Sequence, residues 1–107
     1  MSIKLNNDNE KKYVTCDGNI VIDFSAEWCN PCKEFKPVFN KLATEFPDIT
    51  FLTSDINEMD EFATDYDIQS LPTIIFIKAG HEVGRILGKQ NYEKFKNFII
   101  NCKEKEI

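Results

Sequence analysis

The sequence lacks a long apolar run and an excess of basic residues, and each absence excludes a class of protein. No apolar run in its 107 residues approaches the roughly 20 residues that a membrane-spanning helix needs. Its 13 basic and 18 acidic residues give a net charge of -5, which disfavours nucleic acid and anionic lipid as partners. We therefore expect no nucleic acid partner and no membrane association.

Export signals and a cysteine-rich framework are also lacking. Residues 1–8 show neither the apolar core of a signal peptide nor the Arg- and Ser-rich composition of a transit peptide. The four cysteines would suggest a disulfide framework only in a small secreted chain, and this chain is not rich in glycine. These features predict a cytoplasmic protein, and in that reducing compartment a disulfide is usually catalytic rather than structural.

The length and the 42% hydrophobic content predict one domain, residues 1–107, with a single buried core. Short runs of β-branched and apolar residues predict strands over residues 3–5, 19–24, 49–53, 73–77 and 83–87. A tight turn at Ala79-Gly80 joins the last two strands, which are therefore predicted to be antiparallel.

Apolar residues at helical spacing predict helices between these strands. The longest helix begins near Asn30, contains Pro37, where a kink is expected, and ends at Pro47. Shorter helices are predicted over residues 8–14, 59–66 and 92–102. Because strands and helices alternate through most of the chain, we predict an α/β fold with a mixed central sheet and helices on both faces.

A Cys-x-x-Cys pair, Cys29 and Cys32, follows a predicted buried strand and begins the longest helix. The thiolate is the reactive form of cysteine, and the N–H groups and dipole of a helix N terminus favour a thiolate at Cys29. Cys32 lies one turn further on and can close a small disulfide ring. Pro31 suits this first turn because it lacks an N–H that would have no partner there. The pair predicts thiol–disulfide chemistry with Cys29 as nucleophile and Cys32 as resolving thiol.

Zinc binding is the alternative use of such a pair, because a structural zinc site takes four ligands that commonly come as two pairs. The remaining candidates, Cys16, Cys102 and His81, are single and widely spaced, which disfavours a metal site. Cys16 and Cys102 fit small buried hydrophobic residues. Regulatory oxidation or a disulfide-linked dimer is the other interpretation of these two cysteines.

Asp23 interrupts the apolar run that forms the predicted strand before the cysteine pair. A buried carboxylate is costly unless it is paired or protonated, so its pKa should be raised. A carboxyl with a raised pKa could pass protons to and from Cys32. The alternative is that Asp23 points to solvent at an edge of the sheet.

Pro72 precedes another predicted strand, in the segment Ser70-Leu71-Pro72-Thr73. A proline at this position can simply mark the start of a strand. The sequence alone does not show whether its peptide bond is cis.

With these motifs in register, the sequence resembles the thioredoxin family from about residue 18 to residue 102. The segment DFSAEWCNPCK, residues 23–33, resembles the active-site segment of that family, and LPT, residues 71–73, resembles its cis-proline loop. Gly80 and Gly88 lie where the family has glycines around its last strands. Several motifs in register make this resemblance far more specific than a Cys-x-x-Cys pair alone.

The resemblance implies a thioredoxin fold with a sheet of order 1-3-2-4-5 flanked by four helices. It implies that Cys29 forms a mixed disulfide with a client and that Cys32 then attacks Cys29, with Asp23 assisting proton transfer. The residues implied to bind substrate are Trp28, Asn30, Pro31, Leu71 and Pro72.

The resemblance further implies a protein-disulfide reductase that acts on disulfide-containing client proteins. Its electrons would come from NADPH through a separate flavoprotein, a thioredoxin reductase. The chain itself would act as a monomer and carry no cofactor. Asn30 departs from the glycine usual in the family, and residues between the cysteines help set the redox potential, so we expect a modest change in that potential.

Two other functions remain open. One is an oxidase or isomerase on the same fold, which would need a more oxidising cysteine pair. The other is a binding module that uses the fold as a docking platform. The lack of an export signal disfavours the first, and the joint presence of both cysteines, Asp23 and Pro72 disfavours the second.

Overall fold

The computed structural model describes residues 2–106, which form five strands and four helices around one sheet. The strands are β1 (Ile3–Lys4), β2 (Asn19–Ser25), β3 (Ile49–Asp55), β4 (Thr73–Lys78) and β5 (His81–Leu87). The helices are α1 (Glu10–Val14), α2 (Asn30–Glu45), α3 (Asp60–Asp65) and α4 (Tyr92–Glu104). None of the described helices is long and apolar enough to cross a membrane.

The sheet has the order β1-β3-β2-β4-β5, so the predicted order is confirmed. Strands β1, β3 and β2 run parallel, as strands joined through crossover helices do, whereas β4 and β5 pair antiparallel. The β4–β5 turn holds Ala79 and Gly80 at φ of 49° and 83°, the left-handed pair that a two-residue hairpin needs. Strand β2 is thus the central strand, with paired neighbours on both sides.

Helices cover both faces of this sheet, as predicted. Side chains of α2 and α4 form one core with alternate residues of the strands, and the Phe39 ring lies 5.2 Å from Phe51 and 5.8 Å from Phe95. The second core lies on the other face, where Phe24 stacks on Phe62 of α3 at 5.5 Å, so the prediction of a single core is wrong because the sheet separates two. Because successive strand residues face opposite sides, both faces of β2 must be apolar.

Two helices begin later than the sequence pattern predicts. Helix α1 begins at Glu10 rather than at residue 8, because the Asn6 carboxamide oxygen accepts the N–H groups of Asp8 and Asn9 in a turn, at 2.8 Å each. Helix α3 begins at Asp60, after Met59. Helix α2 begins at Asn30 as predicted and continues through Pro37. The kink expected at Pro37 stays a prediction.

All nine elements contribute to one sheet and its two covering layers. We therefore keep the proposal that residues 1–107 form a single domain. Met1 and Ile107, which that range includes, lie outside the described residues.

Candidate active site

The cysteine pair lies where the chain leaves β2 and enters α2. Cys29 is the N-cap residue of the helix, in an extended conformation, and its Sγ accepts the backbone N–H of Cys32 at 3.2 Å. Pro31 occupies the first helical turn, as predicted. A disulfide joins Cys29 and Cys32, whose Cα atoms are 5.3 Å apart. The Cys32 N–H, which donates to the Cys29 sulfur at the helix N terminus, also favours the Cys29 thiolate once this disulfide is reduced.

Cys29 and Cys32 border different clefts. Cys29 and Cys32 are almost equally buried, at 6% and 5% exposure. Cys29 lines a groove together with Trp28 and Pro31, whereas Cys32 lines a polar cleft together with Asp23. The difference between the two cysteines therefore lies in their surroundings rather than in their exposure.

The groove beside Cys29 has a volume of about 530 Å³ and an uncharged lining. Trp28, 66% exposed, stands on one side of it. The remaining lining residues are Asn30, Pro31, Ile56, Ile68, Gln69, Ser70 and Leu71. All the predicted substrate-binding residues except Pro72 thus line this one groove.

The Leu71–Pro72 peptide bond is cis. Leu71 packs against the small cluster formed by Ala26, Cys29 and Cys32, and Pro72 is buried. The Pro72 carbonyl accepts the N–H of Gly88 at 2.8 Å, which ties the loop to the end of β5. The predicted cis-proline loop is therefore next to the disulfide, and the pairing of the Leu71 backbone with a client stays a prediction.

Asp23 lies in the central strand with 3% exposure, so the alternative that it reaches solvent at a sheet edge is wrong. Its Oδ1 has no hydrogen-bond partner among the described residues. Burial raises the pKa of Asp23 to about 7, and the nearby positive charge of Lys36 lowers it in part. The predicted burial and raised pKa are both confirmed.

Asp23 shares the polar cleft with Cys32, where its carboxyl can exchange protons. The cleft has a volume of about 500 Å³, and Cys32 and Lys36 of α2 line it with Asp23. A carboxyl that titrates near neutral pH can hold or release a proton as conditions require. This cleft therefore brings a proton carrier to the side of the disulfide away from the groove.

The sequence pattern did not identify two residues of the site. Lys36 lies one turn after Cys32 on α2, so helical spacing could have placed it in the cleft. Leu87 is a large apolar side chain that is 60% exposed at the end of β5, where it pairs with Thr73 next to the proline loop. An apolar residue directly before Gly88 is only a weak signal.

The other candidate zinc ligands lie apart from the pair. Cys102 belongs to the core beneath α2 and α4, whereas Cys16 packs on the core of the opposite face, and His81 begins β5. Both cysteines are free thiols that pack with apolar side chains. Burial raises the pKa of Cys102, which disfavours its reactive thiolate.

Three carboxylates do come together at the rim of the polar cleft. The side chains of Glu27, Asp55 and Glu58 each place an oxygen within 4.8 Å of the others, and among the described residues only these form such a group of possible metal ligands. Lys4 pairs with Glu58 at 3.0 Å. Exposed acidic groups are common in proteins, and this group is not evidence of a metal site.

Comparisons with known proteins agree with this arrangement. The sequence model of the thioredoxin family matches residues 1–101. Thioredoxin H2-1 of Oryza sativa subsp. japonica is 45% identical over 82 residues, which cover 75% of this chain and 59% of that protein. The thioredoxin of Chlamydia pneumoniae is 39% identical over 82 residues, which cover 77% of this chain and 80% of that protein.

Solved structures of similar proteins share the fold. Fasciola hepatica thioredoxin superposes with a TM-score of 0.85 and 33% identity, over 95% of this chain and 99% of that one. Oxidized mitochondrial thioredoxin 3 of Saccharomyces cerevisiae gives a TM-score of 0.84 and 31% identity, over 94% of each chain. Against four plant thioredoxins, however, the matched part of this chain spans only 48% to 63% of their length.

Proposed function

The chain belongs to the thioredoxin family, and we propose that it is a protein-disulfide reductase that works through Cys29 and Cys32. The observation that carries the proposal is the Cys29–Cys32 disulfide at the N terminus of α2, between an open groove and a cleft that holds a protonatable carboxyl. One side of the pair can admit a client, and the other can handle protons.

In the proposed reaction, the Cys29 thiolate attacks one sulfur of a client disulfide. The other client sulfur leaves as a thiolate and takes up a proton. Cys32 then attacks the Sγ of Cys29, which closes the Cys29–Cys32 disulfide and releases the second client sulfur as a thiol. The cysteine pair loses two electrons and two protons, one of them when the Cys29 thiolate forms, and the client disulfide gains the two electrons and takes up two protons from solvent to become two thiols.

Asp23 supports the second attack. Cys32 must lose its proton before it can act as a nucleophile, and Asp23 lines the same cleft with an unpartnered oxygen. Because burial raises the pKa of Asp23 to about 7, its carboxylate is a far stronger base than an exposed one. We propose that it accepts this proton and returns it when the disulfide is next reduced.

The groove receives the client. Trp28, Asn30 and Pro31 line it together with Leu71, the residue that precedes the cis Pro72. Large aromatic surfaces and an uncharged lining suit the extended segment around a client cystine. The exposed side chain of Leu87 adds apolar surface beside the proline loop.

A separate flavoprotein reductase, fed by NADPH, is proposed to regenerate the dithiol, so the chain needs no cofactor of its own. We propose a monomer in the cytoplasm. Both Cys16 and Cys102 are free thiols, which suits a reducing compartment.

A redox titration tests the proposed function. The single tryptophan, Trp28, lines the groove with Cys29, so its fluorescence should report the state of the pair. We expect a reversible two-electron transition with a midpoint below about -220 mV, in the range of a reducing cytosol. A midpoint near -120 mV, on the order of that of strong oxidants, would indicate an oxidase or isomerase. No reversible transition would indicate a binding module.

A further inference from the structure

The segment of chain that contributes one set of lining residues to the groove is strongly acidic. Between Lys41 and Lys78 the sequence contains no Lys, Arg or His. Within it, residues 55–71 contribute Ile56, Ile68 and Leu71 to the groove. They also include six acidic residues, which are Asp55, Glu58, Asp60, Glu61, Asp65 and Asp67. Residues 55–71 therefore carry six negative charges and no positive charge, in a chain whose net charge is -5.

Carboxylates lie directly beside the residues that line the groove. Asp67 precedes Ile68, and its Oδ1 accepts the side-chain N–H of the groove residue Gln69 at 3.0 Å. Asp55 precedes Ile56, and its Oδ1 accepts the backbone N–H groups of Asn57 and Glu58. Asp67 thus borders the groove itself, whereas Asp55 lines the neighbouring polar cleft.

Few ion pairs neutralise this charge within the described residues, although Arg85, which pairs with Glu82, also lies close enough to Asp67 for their charges to interact. Of the six carboxylates, only Glu58 has an ion-pair partner among residues 2–106, and both it and that partner, Lys4, are more than half exposed. An exposed pair of this kind contributes little. The lysines next to the disulfide, Lys33 and Lys36, line the polar cleft rather than the groove.

We propose that the groove selects client proteins whose reactive disulfide is flanked by Lys or Arg. The inference rests on the proposed function and names the class of client for the same site. The uncharged lining beside Cys29 receives the backbone around the cystine, while flanking cations approach Asp67 at the rim of the groove and Glu58 at the rim of the neighbouring polar cleft. Complementary charge of this kind mainly raises the rate of productive encounter, and salt weakens the effect.

Two peptides test the proposal, each closed by one disulfide and identical except that Lys or Glu flanks the cystine. Each peptide is mixed with the reduced protein, and the second-order rate constant is followed by Trp28 fluorescence. Dividing it by the rate constant with dithiothreitol removes the difference in intrinsic reactivity. At low salt we expect the Lys peptide to react about three- to tenfold faster, and we expect the ratio to approach one at about 500 mM salt.

Two matched double variants identify the carboxylates responsible. Glu58→Gln/Asp67→Asn removes two rim charges, and asparagine tolerates the left-handed conformation at position 67, where φ is 54°. Asp17→Asn/Glu104→Gln removes two charges at the opposite end of the sheet. The Lys-to-Glu rate ratio should fall by about half or more in the first variant and persist in the second.

Equal rates for the two peptides, or an unchanged ratio in the rim variant, would overturn the proposal. The neutral reagent hydroxyethyl disulfide separates this failure from failure of the proposed function. If the unsubstituted protein is oxidised by this reagent but does not distinguish the peptides, only the client preference is wrong. If hydroxyethyl disulfide does not oxidise the pair, the reductase function fails and the client preference fails with it.

Discussion

Cys29 and Cys32 form one disulfide and are equally buried, yet each borders a cleft of different character. Cys29 faces the groove that can admit a client, and its sulfur accepts the backbone N–H of Cys32. Cys32 shares its cleft with Asp23. The proposed division between nucleophile and resolving thiol follows from these surroundings.

Asp23→Asn should slow release of the client most strongly in the neutral range. The carboxylate that accepts the Cys32 proton is then missing, and we expect a loss of roughly ten- to a hundredfold in the rate of the second attack. Stopped-flow kinetics between pH 5 and pH 9 should show an inflection near pH 7 that the variant lacks, because the pKa of Asp23 is about 7. An unchanged inflection in Asp23→Asn would assign the titration to another group.

Lys36→Met should shift the pH dependence of the second attack rather than remove it. The positive charge of Lys36 lowers the pKa of Asp23, so its removal should move the inflection to higher pH without abolishing it. A shift to lower pH would contradict the proposed coupling between these two residues.

The stability of the oxidised protein should depend on pH through Asp23. Burial raises the pKa of Asp23 from 3.8 to about 7, so the folded state keeps a proton that the unfolded chain has lost. The resulting stability is present below about pH 4 and is lost as pH rises through about 7. Relative to Asp23→Asn, the free energy of unfolding should fall on the order of 4 kcal/mol between pH 4 and pH 8.

Urea unfolding of the oxidised forms at several pH values measures this difference. The exposed substitution Asp17→Asn is the control and should follow the unsubstituted protein at every pH. A constant difference between Asp23→Asn and the unsubstituted protein over the whole range would show that the carboxyl titrates alike in both states.

Asn30→Gly should make the pair modestly more reducing. Asn30 is the first residue of α2, between the two cysteines, where a side-chain amide can donate to a thiolate and stabilise the reduced form. Its removal should lower the midpoint potential by about 10–30 mV, with the reaction retained. Equilibration with glutathione buffers measures the shift, and an identical midpoint would contradict a role for Asn30.

Gly84→Ala should destabilise the fold far from the disulfide. A Cβ at position 84 would lie 2.8 Å from the Cys102 Sγ and 3.2 Å from the Phe98 ring, because α4 packs closely on β5 there. We expect a loss of about 1–3 kcal/mol in the free energy of unfolding, partly restored by adding Cys102→Ala. Gly18→Ala, whose Cβ would meet nothing closer than 4.0 Å, is the matched control. Equal losses in the two variants would contradict this account.

The pattern of apolar and polar residues along the chain, together with the Cys-x-x-Cys motif, was sufficient to predict most of the fold and the thiol–disulfide chemistry. An acidic residue inside the apolar run of β2 had to be buried, because helices cover both faces of that strand. The cysteine spacing and the following helix likewise identified the redox pair. These signals are local, since each lies within a few residues of one element.

Features that depend on packing between distant elements could not be predicted in this way. Helical spacing places Lys36 on the same side of α2 as Cys32, but its approach to Asp23 depends on the rotation of α2 over the sheet. The close approach of Cys102 to Gly84 depends on how α4 crosses β5. The late start of α1 depends on side-chain bonds of Asn6 that compete with the helix.

Trapping of the mixed disulfide tests the central claim most directly. The protein with Cys32→Ser, and with Cys16 and Cys102 also replaced by serine, is mixed with a disulfide-containing client and analysed by mass spectrometry. We predict a stable adduct through Cys29 that dithiothreitol releases, because the thiol that would resolve it is missing. The matched protein that keeps Cys32 and carries Cys29→Ser should form little adduct. An adduct that forms equally well through Cys32, or no adduct with either protein, would contradict the assignment of Cys29 as the nucleophile.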